Sequence, residues 1–347
     1  MIEKQIENNI GLRMYNKTDL KNKLESIHRK SYPAYKSLRG SYTFGDFVLS
    51  IDHVQGDPFA APSSLHVELP LAKAGFPEKY FEGRHTKTAL EDLILRKFSR
   101  ALDQYSFKAK GSGKSGLIST SRPGPEVMRR TAVEFTEKLL IVRFEVGFPA
   151  NGRTINAQEL EKILLDFLPQ IVKKCLYYQA WDKRLVQEGF ELAENQQKIR
   201  EVLEERKLVA FCANGSILPR KSGVSSQPLK DAVAFESPKS MELAIDLPFG
   251  GSIFGMGIPE GVTLIIGGGY HGKSTLLQAL EQGVYNHVKG DGREYVITRA
   301  NALKLRAEDG RAVSNLDLSL FIHDLPNGKD THCFSTEDAS GSTSQAA

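Results

Sequence analysis

Cysteine is scarce in this sequence. Its three cysteines, Cys175, Cys212 and Cys333, lie far apart in 347 residues and without metal-ligand spacing, which leaves reduced thiols as the sensible reading. Long apolar runs are also missing. No stretch approaches the ~18 uninterrupted apolar residues of a spanning helix. The opening MIEKQIENNIGLRM lacks the apolar core a secretory signal needs. There is no internal repeat and no low-complexity tract. These absences point to a cytoplasmic protein with no membrane partner.

What is present is ordinary globular material, 40% apolar, 25% charged and 9% aromatic. The length favours two domains over one. Net charge is only +4, unevenly placed: residues 1–170 carry 26 Lys/Arg against 20 Asp/Glu, and residues 171–347 carry 20 against 22. Within the first half, residues 96–130 hold nine basic side chains and two acidic ones, Asp103 and Glu126, a local +7. That segment could attract a polyanion or form a solvated face balanced by acids elsewhere.

Periodicity predicts an amphipathic helix over 85–105, with Leu90, Leu93, Ile94, Phe98, Ala101, Leu102 and Tyr105 at helical spacing. LLIVRFEVGF at 139–148 alternates, Val142, Phe144, Val146 and Phe148 facing one way and Arg143 and Glu145 the other, as a half-buried strand does. The first half therefore reads as an α+β domain over 1–170. From Asn156 to about Lys207 the chain turns helical, with a narrow stripe of Leu185, Leu192 and Ile199. A strand is expected at 207–212. Residues 214–240, rich in Ser, Pro, Gly and Lys, read as a long surface loop. A second domain, of α/β class, is expected over 171–347.

Two stretches compete as a phosphate loop. GGGYHGKST at 267–275 meets the Gly-x-x-x-x-Gly-Lys-Ser/Thr spacing through Gly267, Gly272, Lys273 and Ser274, with Gly268 and Gly269 adding freedom. Glycines let backbone amides face phosphate oxygens, the lysine supplies a point charge, and the hydroxyl binds Mg²⁺. Val262–Ile266 before it reads as a buried strand, and Ser274–Leu280 after it opens a helix whose N-terminal amides favour an anion. At Gly113-Lys114-Ser115 the first glycine of the pattern would be Lys108, and neither strand nor helix flanks the site. Residues 110–116 therefore read as a flexible basic loop, not the nucleotide loop.

GGGYHGKSTLLQALEQGVYNHVKGDGREYVIT, taken with KGSGKSGLISTSRPGPEV, RFEVGFPANGR, GSILPRKSG, KLRAEDGRAV and STEDASGSTSQAA, resembles the predicted ATPases of the ABC class. That family carries an N-terminal domain of its own ahead of a P-loop ABC-type ATPase domain. The resemblance runs from about residue 10 to the end. It implies ATP and Mg²⁺ at Gly267, Gly268, Gly269, His271, Gly272, Lys273, Ser274 and Thr275, with Lys273 catalytic and Ser274 on the metal. It also implies that Ser340, Gly341, Ser342 and Thr343 stand where ABC proteins carry the signature motif, which caps the nucleotide of a second copy in a homodimer. Family members would next show an apolar strand ending in Asp and Glu. Here the sequence ends at Ala347, so the expectation is an incomplete ATPase domain, with binding favoured over turnover. Leu316–Leu320 precedes the signature and reads as a structural segment, and Glu308-Asp309-Gly310 as a hairpin turn.

The sequence supports three functions. The first is an ATP-binding ABC-class protein that hydrolyses ATP across a dimer in its complete form. The second is a nucleotide-regulated RNA-binding scaffold gripping RNA through Lys108, Lys110, Lys114, Arg122, Arg129 and Arg130. The third is a P-loop kinase for a small molecule.

Overall fold

A computed structural model describes residues 14–266, 271–304, 314–320, 323, 328 and 330–335. It divides into two compact units, 1–299 and 300–347.

The first unit begins with helix α1 (Lys17–Ile27), opened by a reciprocal cap: the Asp19 amide donates to Asn16 Oδ1 and the Asn16 amide to Asp19 Oδ2, both at 2.9 Å. Strands β1 (Gly40–Thr43), β2 (Val48–His53), β3 (Ser63–Pro70) and β4 (Leu139–Val146) come next as an antiparallel series. Short strands Tyr15–Asn16, Ile118–Ser119 and Val133–Phe135 complete a seven-stranded sheet. β4 alternates as expected: Leu140, Val142, Phe144 and Val146 are buried while Glu145 is exposed.

Helix α2 (Arg84–Asp103) lies against the buried face, with Phe98 edge-on to Phe144 at a centroid separation of 5.9 Å. Its Leu90, Ile94, Phe98, Ala101 and Leu102 are buried as their spacing predicts. Helix α3 (Leu168–Cys175) contributes Leu168, Ile171, Val172 and Cys175 to the same core.

Helix α4 (Lys183–Glu205) belongs to two cores. Val186 in its first turn joins the core just described, and Ile199, Val202 and Leu203 in its last turns belong to another. At 23 residues it is a beam about 34 Å long. The expected stripe is only partly realised: Ile199 is buried, whereas Leu185 is exposed.

Strand β5 (Leu208–Ala213) then enters a four-stranded antiparallel sheet with β6 (Glu242–Leu247), β7 (Gly251–Pro259) and β8 (Val296–Thr298), in the order β6-β7-β5-β8. Its alternation serves two faces. Phe211 and Ala213 meet the end of α4, while Ala210 and Cys212 face Met256, Ile258 and Ala279. Ala279 lies on helix α5 (Lys273–Gln282), so helices cover both faces of this sheet. The loop between β5 and β6 runs without regular structure apart from one 3-10 turn at Lys239–Met241.

In the second unit, Leu316 and Phe334 exchange backbone hydrogen bonds at 2.9 Å in both directions, and the Leu318 amide donates to the Thr331 carbonyl at 2.7 Å. Leu316–Leu320 is thus a loop pinned to its neighbour. No described helix is long and apolar enough to cross a membrane.

Candidate nucleotide site

The five residues expected as a buried strand, Val262–Ile266, do not form one. They pair with no strand among the described residues. Val262 is fully exposed, and Leu264 and Ile266 are about four-fifths exposed. An apolar run becomes a central strand only when neighbours on both edges take its amides and carbonyls and helices cover both faces. β7 ends at Pro259, and the chain turns at Gly261 with φ +105° before the run begins. Gly267, Gly268, Gly269 and Tyr270 lie outside the described residues, as do Ser340, Gly341, Ser342, Thr343 and the Glu308-Asp309-Gly310 turn.

Past the glycine run the chain enters a helix N-terminus. α5 starts at Lys273, one residue earlier than the pattern suggests, with Gly272 as its cap residue at φ +80° and no side-chain capping bond. This left-handed backbone is why the position needs glycine. Among the described residues a Cβ placed there would meet nothing within 4 Å. The Leu276 amide makes the first helical bond, to the Gly272 carbonyl at 2.9 Å. The amides of Lys273, Ser274 and Thr275 precede it in the first turn, where a helix offers no acceptor of its own. Those three amides, the dipole end behind them and the exposed His271 and Ser274 make a cradle suited to phosphate oxygens.

α5 is held firmly. Leu276, Ala279 and Leu280 recur at i, i+3 and i+4 and face β5 and β7. Thr298 Oγ1 donates to the Leu280 carbonyl at 2.6 Å, and the Thr298 amide to the Gly283 carbonyl at 2.8 Å. From α4, the Arg200 guanidinium donates to the carbonyls of Val284 at 3.1 Å and Thr298 at 2.7 Å and to Asn286 Oδ1 at 2.8 Å. Burial pushes this arginine down to about 10. A cation at the C-terminal end of α5 also suits the helix dipole.

Beyond it sits a buried cluster. Asp291 Oδ2 is 2.6 Å from His287 Nδ1 and accepts from Arg220 Nη2 at 2.7 Å, each side chain largely buried. Burial pushes the Asp291 carboxyl up, but the histidine and arginine outweigh that and hold it below its ordinary value. The nearby Arg293 donates to the Leu218 carbonyl, pinning the Ser/Gly-rich loop. Asp291 and Arg293 both come from GDGREYV, where neither gave any sign in the sequence of its partners.

Residues 17–179 match a family model described as the N-terminal domain of ATPases of the ABC class, and residues 182–347 match the P-loop domain model of ABC ATPases. The chain belongs to the ATPases of the ABC class. Over 142 residues it is 36% identical to an uncharacterized protein of Methanocaldococcus jannaschii, an alignment covering 39% of this chain and 32% of that protein. The chain thus spans about a third of that relative's length.

In this ABC-class ATPase the second lysine-bearing Gly/Ser loop, KGSGKSG, is a packed element rather than a loose one. Gly113 and Gly116 have φ of +62° and +79°. A Cβ on Gly113 or Gly116 would strike the carbonyls of Pro58 and Ala109, and one on Gly147 would strike that of Lys114. Ser115, buried, accepts from the Ala150 amide at 3.0 Å, and Ser112 Oγ accepts from the Gly152 amide at 2.9 Å. Glycine here provides close backbone approach, with no outward cradle for phosphate.

The six cations singled out for RNA are not equivalent. Arg130 is tied to the buried Asp92 at 2.5 Å, Arg122 to Asp103 at 2.8 Å and Arg129 to Glu134 at 3.7 Å. The Lys108 ammonium lies 4.7 Å from the Tyr105 ring centroid, and Lys110 Nζ donates to the Phe107 carbonyl at 3.1 Å. Among the described residues Lys108, Lys110 and Lys114 have no carboxylate ion-pair partner, so half the expected patch is internally neutralised.

Proposed function

We propose that this ABC-class ATPase binds MgATP at Gly267, Gly268, Gly269, His271, Gly272, Lys273, Ser274 and Thr275. The amides of the loop and of the first turn of α5 hold the phosphates. Lys273 offsets the charge that develops on the transferring phosphoryl group. Ser274 would contribute a hydroxyl to Mg²⁺, a cation that needs few protein ligands at a phosphate site. No cluster of three or more His, Cys, Asp or Glu among the described residues offers an all-protein cage. ATP hydrolysis takes place across a homodimer in the complete protein, with Ser340, Gly341, Ser342 and Thr343 of one copy over the nucleotide of the other. Reduced, unpaired cysteines suit a cytoplasmic setting.

The observation that carries this reading is the helix N-terminus of α5, opened by left-handed Gly272 with no side-chain bond from that cap residue. The test is binding of a fluorescent ATP analogue with Mg²⁺ to the 347-residue chain beside its Lys273→Ala variant. The parent binds and the variant loses affinity by roughly tenfold or more, as the loss of a charged phosphate contact implies. Equal binding by both removes the reading.

A second reading, RNA binding by the N-terminal domain, has one observation in its favour. Phe107, at φ +60°, and Phe59 expose 53% and 62% of their surface beside Lys108, Lys110 and Lys114. Exposed rings interleaved with cations suit stacking by single-stranded bases. Affinity for a single-stranded RNA then falls steeply with salt, and Lys108→Glu, Lys110→Glu and Lys114→Glu together flatten the slope. An unchanged slope rejects it.

A further inference from the structure

A cavity of about 500 Å³ opens between α2 and α4, and no described residue of the α5 N-terminus lines it. That volume is in the range of small-molecule sites. Its floor is apolar: Leu93 and Ala101 from α2, Leu192 and Ala193 from α4, and the indole of Trp181. Gly189 on α4 makes the room, since a Cβ there would meet only Leu93 Cδ2, at 3.7 Å.

Cations converge on this floor. Arg96, Lys97, Arg100, Lys174 and Lys289 all line the cavity, against the two carboxylates Asp92 and Glu188. Both acids are already committed. Asp92 is shared between Arg96 and Arg130 at 2.5 Å each, and Glu188 Oε2 meets Lys289 at 3.1 Å. Lys97, Arg100 and Lys174 have no carboxylate within ion-pair distance among the described residues. The Lys97 ammonium sits 3.9 Å from the centroid of Trp181 and donates to the Ala180 carbonyl at 2.9 Å; Lys174 Nζ donates to Gln104 Oε1 at 3.3 Å. Burial holds Lys97 below its ordinary value.

Lys97, Arg100 and Lys174 thus place three cations without a described carboxylate partner around an apolar hollow. An anion placed among them gains the attraction of all three and a counter-charge for the partly buried Lys97. An apolar body over Leu93, Leu192 and Trp181 would exclude water from the same space.

We propose that this cavity is a binding site for a small organic anion, an aromatic or otherwise planar apolar body carrying one acidic group. The acid lies among Lys97, Arg100 and Lys174, and the body fills the groove beside Gly189. The site is separate from the ATP site, and one end of it is closed by His287, Val288 and Lys289, which come after α5 in the chain. Through the 3.3 Å contact of His287 Nε2 with the Gln282 carbonyl, that end touches the last residue of α5.

Trp181 is the only tryptophan in the sequence, so its emission reports on this cavity alone. The probe is 8-anilinonaphthalene-1-sulfonate, an aromatic body with one sulfonate, compared with uncharged N-phenyl-1-naphthylamine. Expected is one sulfonate probe per chain, with Trp181 emission quenched by energy transfer to it and roughly tenfold or more weaker binding of the uncharged compound. Arg100→Glu with Lys174→Glu, both on exposed positions, weakens the sulfonate by roughly tenfold or more while leaving the urea midpoint unchanged. Gly189→Leu fills the groove and removes binding. Should that variant fail to fold, the charge-reversed pair decides. Sulfonate binding unaffected by the charge reversal, or equal affinity for the uncharged compound, overturns the proposal.

Discussion

Arg200 and Thr298 lie 98 positions apart in sequence, yet Arg200 Nη1 donates to the Thr298 carbonyl at 2.7 Å while Thr298 Oγ1 donates to the last full turn of α5. The residue on α4 and the residue on β8 thus hold the far end of the helix whose near end forms the proposed phosphate site. A phosphate cradle built from backbone amides works only if the helix cannot swing, and these two side chains fix its axis.

Replacing Arg200 tests that brace. Arg200→Met leaves the carbonyls of Val284 and Thr298 without their buried donor and is expected to cost about 2–4 kcal/mol of stability. A lowered urea midpoint measures it. Binding of the ATP analogue by the fraction still folded is expected to weaken as well, because α5 loses its fixed direction.

The two glycine loops separate by substitution. Gly147→Ala drives a methyl group into the Lys114 carbonyl, and a stability loss of about 2–4 kcal/mol is expected. Gly272→Ala meets no described atom within 4 Å and its cost comes chiefly from its φ of +80°, about 1 kcal/mol. Thermal melts rank the two for stability. Nucleotide titration ranks Gly272→Ala as the one with the direct effect on the proposed phosphate site.

Asp291 gives a predicted acid response. Its carboxyl is held below the ordinary value in the folded chain, so its contribution is complete above the unfolded value, about 4, and is lost as pH falls through the lower, folded value. Asp291→Asn removes the charge at every pH and leaves the buried Arg220 unpaired, at a cost of about 3 kcal/mol or more. Urea midpoints at about pH 3 and about pH 7 are expected to converge for the variant and to differ for the parent.

His66 predicts the opposite slope. Burial disfavours its charge, but Asp52 at 2.6 Å and Glu68 at 3.4 Å outweigh burial and carry it up to about 9. A raised value means the stabilisation is whole below about pH 6.5 and fades as pH rises through about 9. Asp52 is half exposed, and solvent screening limits the effect to on the order of 1 kcal/mol. His66→Asn is expected to flatten stability between about pH 6 and about pH 9.5, read as urea midpoints across that range.

The elements that the sequence announced are those whose signal is local. α2 and β4 each present one face to one core, so spacing alone finds them, and the helix after Gly272 is found to within one residue of its expected start. Val262–Ile266 looked equally clear, but a strand depends on partners along its edges, and no local pattern reports those. KGSGKSG was read as loose because small polar residues usually are; its glycines are set by Pro58, Ala109 and the Gly147–Ala150 segment, of which Pro58 and Gly147–Ala150 are distant in sequence. The basic window 96–130 overstated its free charge because Asp92 and Glu134, which neutralise Arg130 and Arg129, stand just outside it. Arg200 and the pairing of Asp291 with His287 and Arg220 carry no motif and become visible only when the strands are in place.

Asn286–His287 forms a two-residue antiparallel ladder with Glu126–Val127, and the Val288 amide reaches the Pro125 carbonyl at 3.0 Å. A protein made from its N-terminus presents residue 127 to the folding medium long before residue 286. At roughly 5–20 residues per second on the ribosome, those 159 positions take on the order of 10–30 s to synthesise. For that interval the Glu126–Val127 edge lacks its strand partner and the cavity wall at Val127 lacks Val288, while Arg96 and Arg130 can already donate to the Glu126 carbonyl. In a chain that emerges N-terminus first, this flank of the N-terminal domain is therefore expected to gain its last strand pairing only after residue 286 has been made.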